Sequence, residues 1–187
     1  MSNSLAKWGI HDFVAHDTIE VTREWQKQIE AALQSCEIFV GLVHNEFNLS
    51  HWALQEVGWA YGRSVPYYFI MFDTVPVGFL AIKQWPSAKA KSPLDAAEDI
   101  ANWVSNTSTT YSDLIIYSLI EHLAQARTLP GAEEVALRIM KFGRLTPDHW
   151  QRFDEVIVSN NQIYPNNIAW RKLISYYAKH SRVMPKR

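Results

Sequence analysis

A single cysteine, Cys36, in 187 residues excludes an intramolecular disulfide, and without a CxxC pair or a Cys/His cluster there is no zinc site to propose. A predominance of charge of one sign is also missing. Eighteen Lys and Arg against nineteen Asp and Glu leave a net charge of -1, which argues against a nucleic-acid binder held by counterion release. Long apolar runs are absent: Tyr67 to Phe72 is among the longest and falls far short of a bilayer span. Met1 to Lys7 lacks the apolar core of a signal peptide. The expectation is a cytoplasmic protein with no nucleic-acid and no membrane partner. The seven glycines form neither GxGxxG nor a Walker loop, and the seven histidines form no HxxxH or HExxH pair. No GxSxG elbow is present. Phosphate-loop, metal and serine-hydrolase chemistry are therefore not expected, and the histidines read as surface or capping residues.

Hydrophobic residues make up 48% and charged residues 20%, enough apolar surface for a packed core. Phe13-Val14-Ala15 reads as a short strand, followed by a polar loop from His16 to Glu20 and Thr22 as a helix N-cap. Trp25, Ile29, Ala32 and Leu33 then recur at the spacing of an amphipathic helix. Glu37 to Val43 is apolar and β-rich, as a strand buried on both faces would be. Ser50 is placed to cap a helix reaching about Arg63, and Val65 to Phe72 reads as the next strand, with Pro66 at its start. Strand and helix alternate as in a wound α/β sheet. Asp73 to Pro93 reads as a long loop with a possible edge strand at Phe79-Leu80-Ala81-Ile82. Beyond it the period is helical: Pro93–Val104, Tyr111–Ala126, Ala132–Phe142, Pro147–Ser159 and Ile168–Lys179. Asp95, Thr146 and Asn166 or Asn167 are candidate caps, with Gly131 and Gly143 at breaks. The expected division is an α/β domain over 1–106 and a helical region over 107–187.

Chemistry concentrates in Ser50-His51-Trp52-Ala53-Leu54-Gln55-Glu56-Val57-Gly58-Trp59. Trp52, Glu56 and Trp59 share one helical face, so a carboxylate lies between two indoles. Two readings are open. Glu56 is a rim carboxylate in an ion pair, for example with Arg63, or it is a desolvated group at a cleft with a raised pKa. Gly58 and Gly62 suggest close packing of this helix on the sheet.

The same residues carry a resemblance. His16-Asp17-x-Ile19-Glu20, Glu24-Trp25, Glu37 to Val43, Phe47, Ser50-x-Trp52-x-x-x-Glu56-Val57-Gly58-x-Ala60-x-Gly62-Arg63 and Val65-Pro66 resemble a prokaryotic TIR (Toll/interleukin-1 receptor) domain over about residues 5 to 105. The resemblance implies a flavodoxin-like α/β fold. It also implies an NAD+ glycohydrolase that cuts the nicotinamide–ribose bond to give ADP-ribose or a cyclic isomer, in bacterial antiphage defence. NAD+ would be the substrate, with no further cofactor and no metal. Glu56 matches the family's catalytic glutamate. Trp52, Ser50, Phe47, Asp17 and Ile19 fall at the matching substrate site, and the His16 to Val21 loop would gate it and mediate homo-oligomer assembly.

The family's first strand and helix precede the position matching Ala6, so by resemblance the domain is shortened at its N-terminus. An upstream segment, direct pairing of the Phe13 and Ile38 strands, or a second subunit would each complete the sheet. A TIR self-association module without catalysis is the alternative function. Nucleoside deoxyribosyltransferases, which also use a glutamate, fit the Ser-x-Trp-x-x-x-Glu spacing less well.

Overall fold

The computed structural model describes residues 1–14, 23–165 and 167–186, and its contacts divide the chain into two units. The first comprises Met1–Ala6 and His11–Thr107, the second Lys7–Ile10 and Ser108–Arg187.

The first unit is mixed α/β. Its elements are α1 (Ser2–Ala6), α2 (Arg23–Ser35), β1 (Phe39–Val43), α3 (His51–Gly62), β2 (Tyr67–Met71) and α4 (Pro93–Thr107). Among the described residues the sheet has two strands, β1 and β2, paired in parallel with Phe39 opposite Tyr67 and Val43 opposite Met71. Parallel neighbours need a crossover, and α3 supplies it. Pro66 sits just before β2, where its missing N–H is harmless, and its carbonyl accepts from the Phe39 amide at 2.9 Å. In α2 the expected apolar stripe is realised: Ile29 and Leu33 are buried and Trp25 is half-buried.

Strand alternation sends the β2 side chains to opposite faces. Phe69 is fully buried in a cluster with Val43 and Leu80, against which Phe39, Phe47, Val57 and Trp85 pack. Val57 brings α3 to this face. Tyr68 points the other way and stacks on Trp103 of α4, ring centres 4.9 Å apart. Burial there pushes the Tyr68 phenol up to about 12, with Asp99 adding to the effect.

Opposite Phe69 stands Gly41, and the Phe69 ring fills the space a Cβ would take. Gly41→Ala is therefore expected to destabilise this unit by about 1–3 kcal/mol, since the ring must move out of a packed position. Chemical denaturation of Gly41→Ala beside Gly41→Ala/Phe69→Leu checks it. If the clash is the cause, the shorter side chain recovers part of the loss.

Several expectations change. Phe13 and Val14 are exposed and outside any strand, while Ala15 lies outside the described residues. A direct pairing of that segment with β1 is thus not formed by Phe13 or Val14. In β1, Phe39, Val40 and Leu42 are only half-buried, so the strand is not covered on both faces. Phe79 to Ile82 forms a 3-10 turn (Gly78–Ile82) in which Leu80 alone turns inward. A single parallel bridge instead joins Met71 to Ser87. Gly58 and Gly62 face open space, so close packing on the sheet is not their role. Asp95 is the partner in a reciprocal cap at the start of α4: its amide donates to Ser92 Oγ and its carboxylate accepts from the Ser92 amide and hydroxyl.

The second unit is helical: α5 (Thr109–Gln125), α6 (Leu129–Ile139), α7 (Pro147–Ser159) and α8 (Ile168–Lys179). Ser108, Thr128, Thr146 and Asn167 each cap the following helix through a side-chain oxygen. Asn166 lies outside the described residues. Because Thr128 caps α6 and Pro130 lies in its first turn, Gly131 falls inside the helix, not at a break. The core is built from Ile116, Leu119 and Leu123 of α5, Ile139 of α6, Phe153 and Ile157 of α7, and Leu173 and Tyr177 of α8.

Lys7–Ile10 belongs to this helical unit. Trp8 is fully buried, with the Arg138 guanidinium 5.3 Å and the Lys141 ammonium 5.7 Å from its ring. Gly9 has φ +71° and lies so close to Ser118 that a Cβ there would collide with its side chain. Among the described residues no helix is long and apolar enough to cross a membrane.

Candidate functional site

Parallel α/β sheets present ligand sites beyond the carboxyl ends of their strands, where the βα loops converge. Here those ends are Val43 and Met71. His44 is the first residue after β1, and its ring stacks on Phe72, centroids 4.4 Å apart. Its Nδ1 lies 3.0 Å from Asp73 Oδ2, just past β2. The Phe72 amide donates to the Val43 carbonyl at 2.9 Å, holding the two strand ends together beneath the pair. A second tie joins the same loops: Asn48 Nδ2 donates to the Val75 carbonyl at 2.8 Å. Asn48 Oδ1 is buried with no hydrogen-bond partner among the described residues, an acceptor left over in a polar rim. His44 and Asp73 are each about half-exposed, so the pair is accessible.

The loop from His44 leads directly into α3. Ser50 Oγ accepts from the Ala53 amide at 3.2 Å and fixes where the helix starts. Two residues on, Trp52 is 39% exposed and meets Trp25 of α2 edge to face, 5.2 Å between ring centres. Glu56 is partly buried one turn later, and Trp59 is 39% exposed on the same stripe. This stripe is thus a rim: Val57 packs toward the sheet, and Ala60 is the buried residue of the helix. Arg63 is engaged with the end of α2, donating to the Leu33 carbonyl and, at 3.3 Å, to the Cys36 carbonyl.

The remaining site residues separate. Phe47 packs edge-on against Phe69 at 5.8 Å and contributes to the core cluster. Asp17 and Ile19, with His16, Glu20 and Thr22, lie outside the described residues. Ser50 and Trp52 lie at the start of α3 and Glu56 midway along it, and the loop that carries His44 leads into that helix. Chemically this offers a carboxylate beside an indole and, at the strand ends, an imidazole oriented by a second carboxylate.

The His44–Asp73 pair went unnoticed in the sequence because 29 positions separate its members. A positional signal was available: each lies within two residues of the end of an apolar, strand-like run.

In the helical unit, ionisable groups serve the packing. Tyr177 donates to Asp154 at 2.6 Å, and burial and then this bond push its phenol well above the ordinary range. Asp154 also pairs with Arg182, which covers the Trp150 ring. An open hollow of about 640 Å³ between the ends of α5 and α7 is lined by small and amide side chains plus Arg127. One of the amides, Asn160, is committed to the α5 end through the Leu123 and Ala126 carbonyls. No family model, curated protein or solved structure matches the chain.

Proposed function

We propose that the chain is a TIR-type NAD+ glycohydrolase with a flavodoxin-like first unit and Glu56 as its essential carboxylate. The observation that supports this reading is the Ser50-x-Trp52-x-x-x-Glu56 element, whose helix starts at the carboxyl end of β1 with Trp52 and Glu56 on an accessible rim. Breaking the ribosyl–pyridinium bond sends the electron pair to the pyridine nitrogen and leaves positive charge on the ribose, as in glycoside hydrolysis. A fixed carboxylate facing that charge, or holding the ribose hydroxyls, stabilises the transition state in a site with little water. Trp52 would wall the site, Ser50 would fix the helix end, and water or an internal nucleophile would capture the ribose to give ADP-ribose or a cyclic isomer. Bacterial defence signalling is the setting this activity fits.

Assembly is part of the proposal. Leu49, Val75, Val77, Phe79 and Ile82 are exposed apolar residues in the segments that follow β1 and β2, Phe79 and Ile82 by 80% or more. Apolar surface of this kind marks contacts with other proteins. Nicotinamide release from NAD+ by the full chain is expected to rise more steeply than protein concentration. Absence of turnover at every concentration would sink the enzyme reading and leave a self-association module. A monomer by light scattering over the same range would remove that second reading.

A further inference from the structure

We propose that His44, oriented by Asp73, is the general base that activates the water in the hydrolytic step. The inference rests on the NAD+ glycohydrolase reading and assigns a second group to that reaction. Nicotinamide leaves as a neutral base, so its departure needs no proton. Water is different: as its oxygen bonds to the ribose C1′ and the C1′–nitrogen bond breaks, it must lose a proton. The pair from the broken bond stays on nicotinamide, the proton goes to the base, and the imidazolium later releases it to solvent.

His44 has the geometry for this. Asp73 Oδ2 lies 3.0 Å from Nδ1, so a neutral ring donates its Nδ1 proton there and keeps the Nε2 lone pair for a substrate water. The carboxylate also stabilises the imidazolium that forms, as an orienting acid does in other acid–base pairs. Stacking on Phe72 fixes the ring plane, and the side chain is about half-exposed. The pair stands at the carboxyl ends of both parallel strands, where α/β folds bind ligands. Its loop runs directly into the helix that bears Glu56. The two carboxylates then divide the work: Glu56 faces the developing cation, and Asp73 is a positioning residue acting through His44.

Azide supplies the test, because it is an anionic nucleophile with no proton to lose. Nicotinamide release from NAD+ is measured for the full chain, His44→Ala, His44→Asn, Asp73→Asn and Glu56→Gln, with and without sodium azide, and the products are identified. Both His44 variants are expected to lose roughly a hundredfold in rate without azide, within the range that general base catalysis supplies. Azide restores their rate and yields the ribosyl azide. Asp73→Asn shows a smaller loss, restored in the same way, and Glu56→Gln is not rescued. A His44 variant that keeps the parent rate, or one that loses it and is not restored by azide, overturns the assignment. If the parent chain itself releases no nicotinamide, the glycohydrolase reading falls first and the role of His44 falls with it.

Discussion

Glu56→Gln reduces NAD+ cleavage by at least about a hundredfold while the circular dichroism spectrum and the unfolding transition stay those of the parent chain. The size follows from what the carboxylate does: removing one preorganised group that meets transition-state charge costs on the order of 10²–10³ in rate. The intact fold follows from how α3 is held. Ser50 caps it, Val57 and Ala60 anchor it, and Glu56 sits on the partly exposed stripe beside Trp52. Glutamine keeps the length of the side chain and is a good helix former. The charge is lost and one acceptor oxygen becomes an N–H donor. A variant that loses its secondary structure along with activity would instead make Glu56 a structural ion-pair partner, and the assignment would have to be withdrawn.

Trp8→Ala has the largest expected effect on stability, about 3–5 kcal/mol in the helical unit, as for other buried Trp or Phe truncations. Trp8 is fully buried, with Arg138 of α6 and Lys141 just beyond that helix against its ring. Glu134 and Arg138 are one turn apart on that helix, and Lys141 follows its end. Arg138 donates to the Lys7 carbonyl at 3.5 Å and pairs with Glu134, while Lys7 reaches Glu134 at 3.3 Å. Burial alone would raise the Glu134 carboxyl, but Arg138 and Lys7 outweigh it and hold it below the usual range. A depressed carboxylate stabilises the fold above its unfolded pKa, and that support fades as pH falls through the folded value. Because two units need not unfold together, amide exchange resolved along the chain is the suitable measurement. Protection should fall in α5 and α6 and persist in β1 and β2. Unchanged exchange in α6 would show that the indole contributes little.

Short-range features were legible from the residues. Pro147–Ser159 and Ile168–Lys179 occupy the spans their periodicity and caps indicate, and Ser50 caps α3 as its hydroxyl suggests. Those outcomes depend on neighbours three or four positions apart. Strand identity depends on pairing, which is why it was harder. Phe79 to Ile82 has apolar strand-like composition, yet a preceding Gly78 with φ +65° directs a 3-10 turn. Phe13 and Val14 look like a strand and remain exposed. Trp8 was anonymous in sequence because the cations against its ring, Arg138 and Lys141, lie far along the chain. His44 and Asp73 were hidden for the same reason, and only the parallel register of β1 and β2 brings them together.

The path of Lys7–Ile10 also sets an order of assembly. During synthesis these residues emerge well before their partners, since Glu134 and Arg138, which Lys7 meets, lie 127 and 131 positions later. Contacts this distant in sequence form slowly, because a long loop must close before they are rewarded. Residues 11–107 can complete their own packing while the Trp8 indole is still without its pocket. Its docking onto α6 is therefore a closing step of folding, and a nascent chain halted at Thr107 would display that indole to solvent and to chaperones.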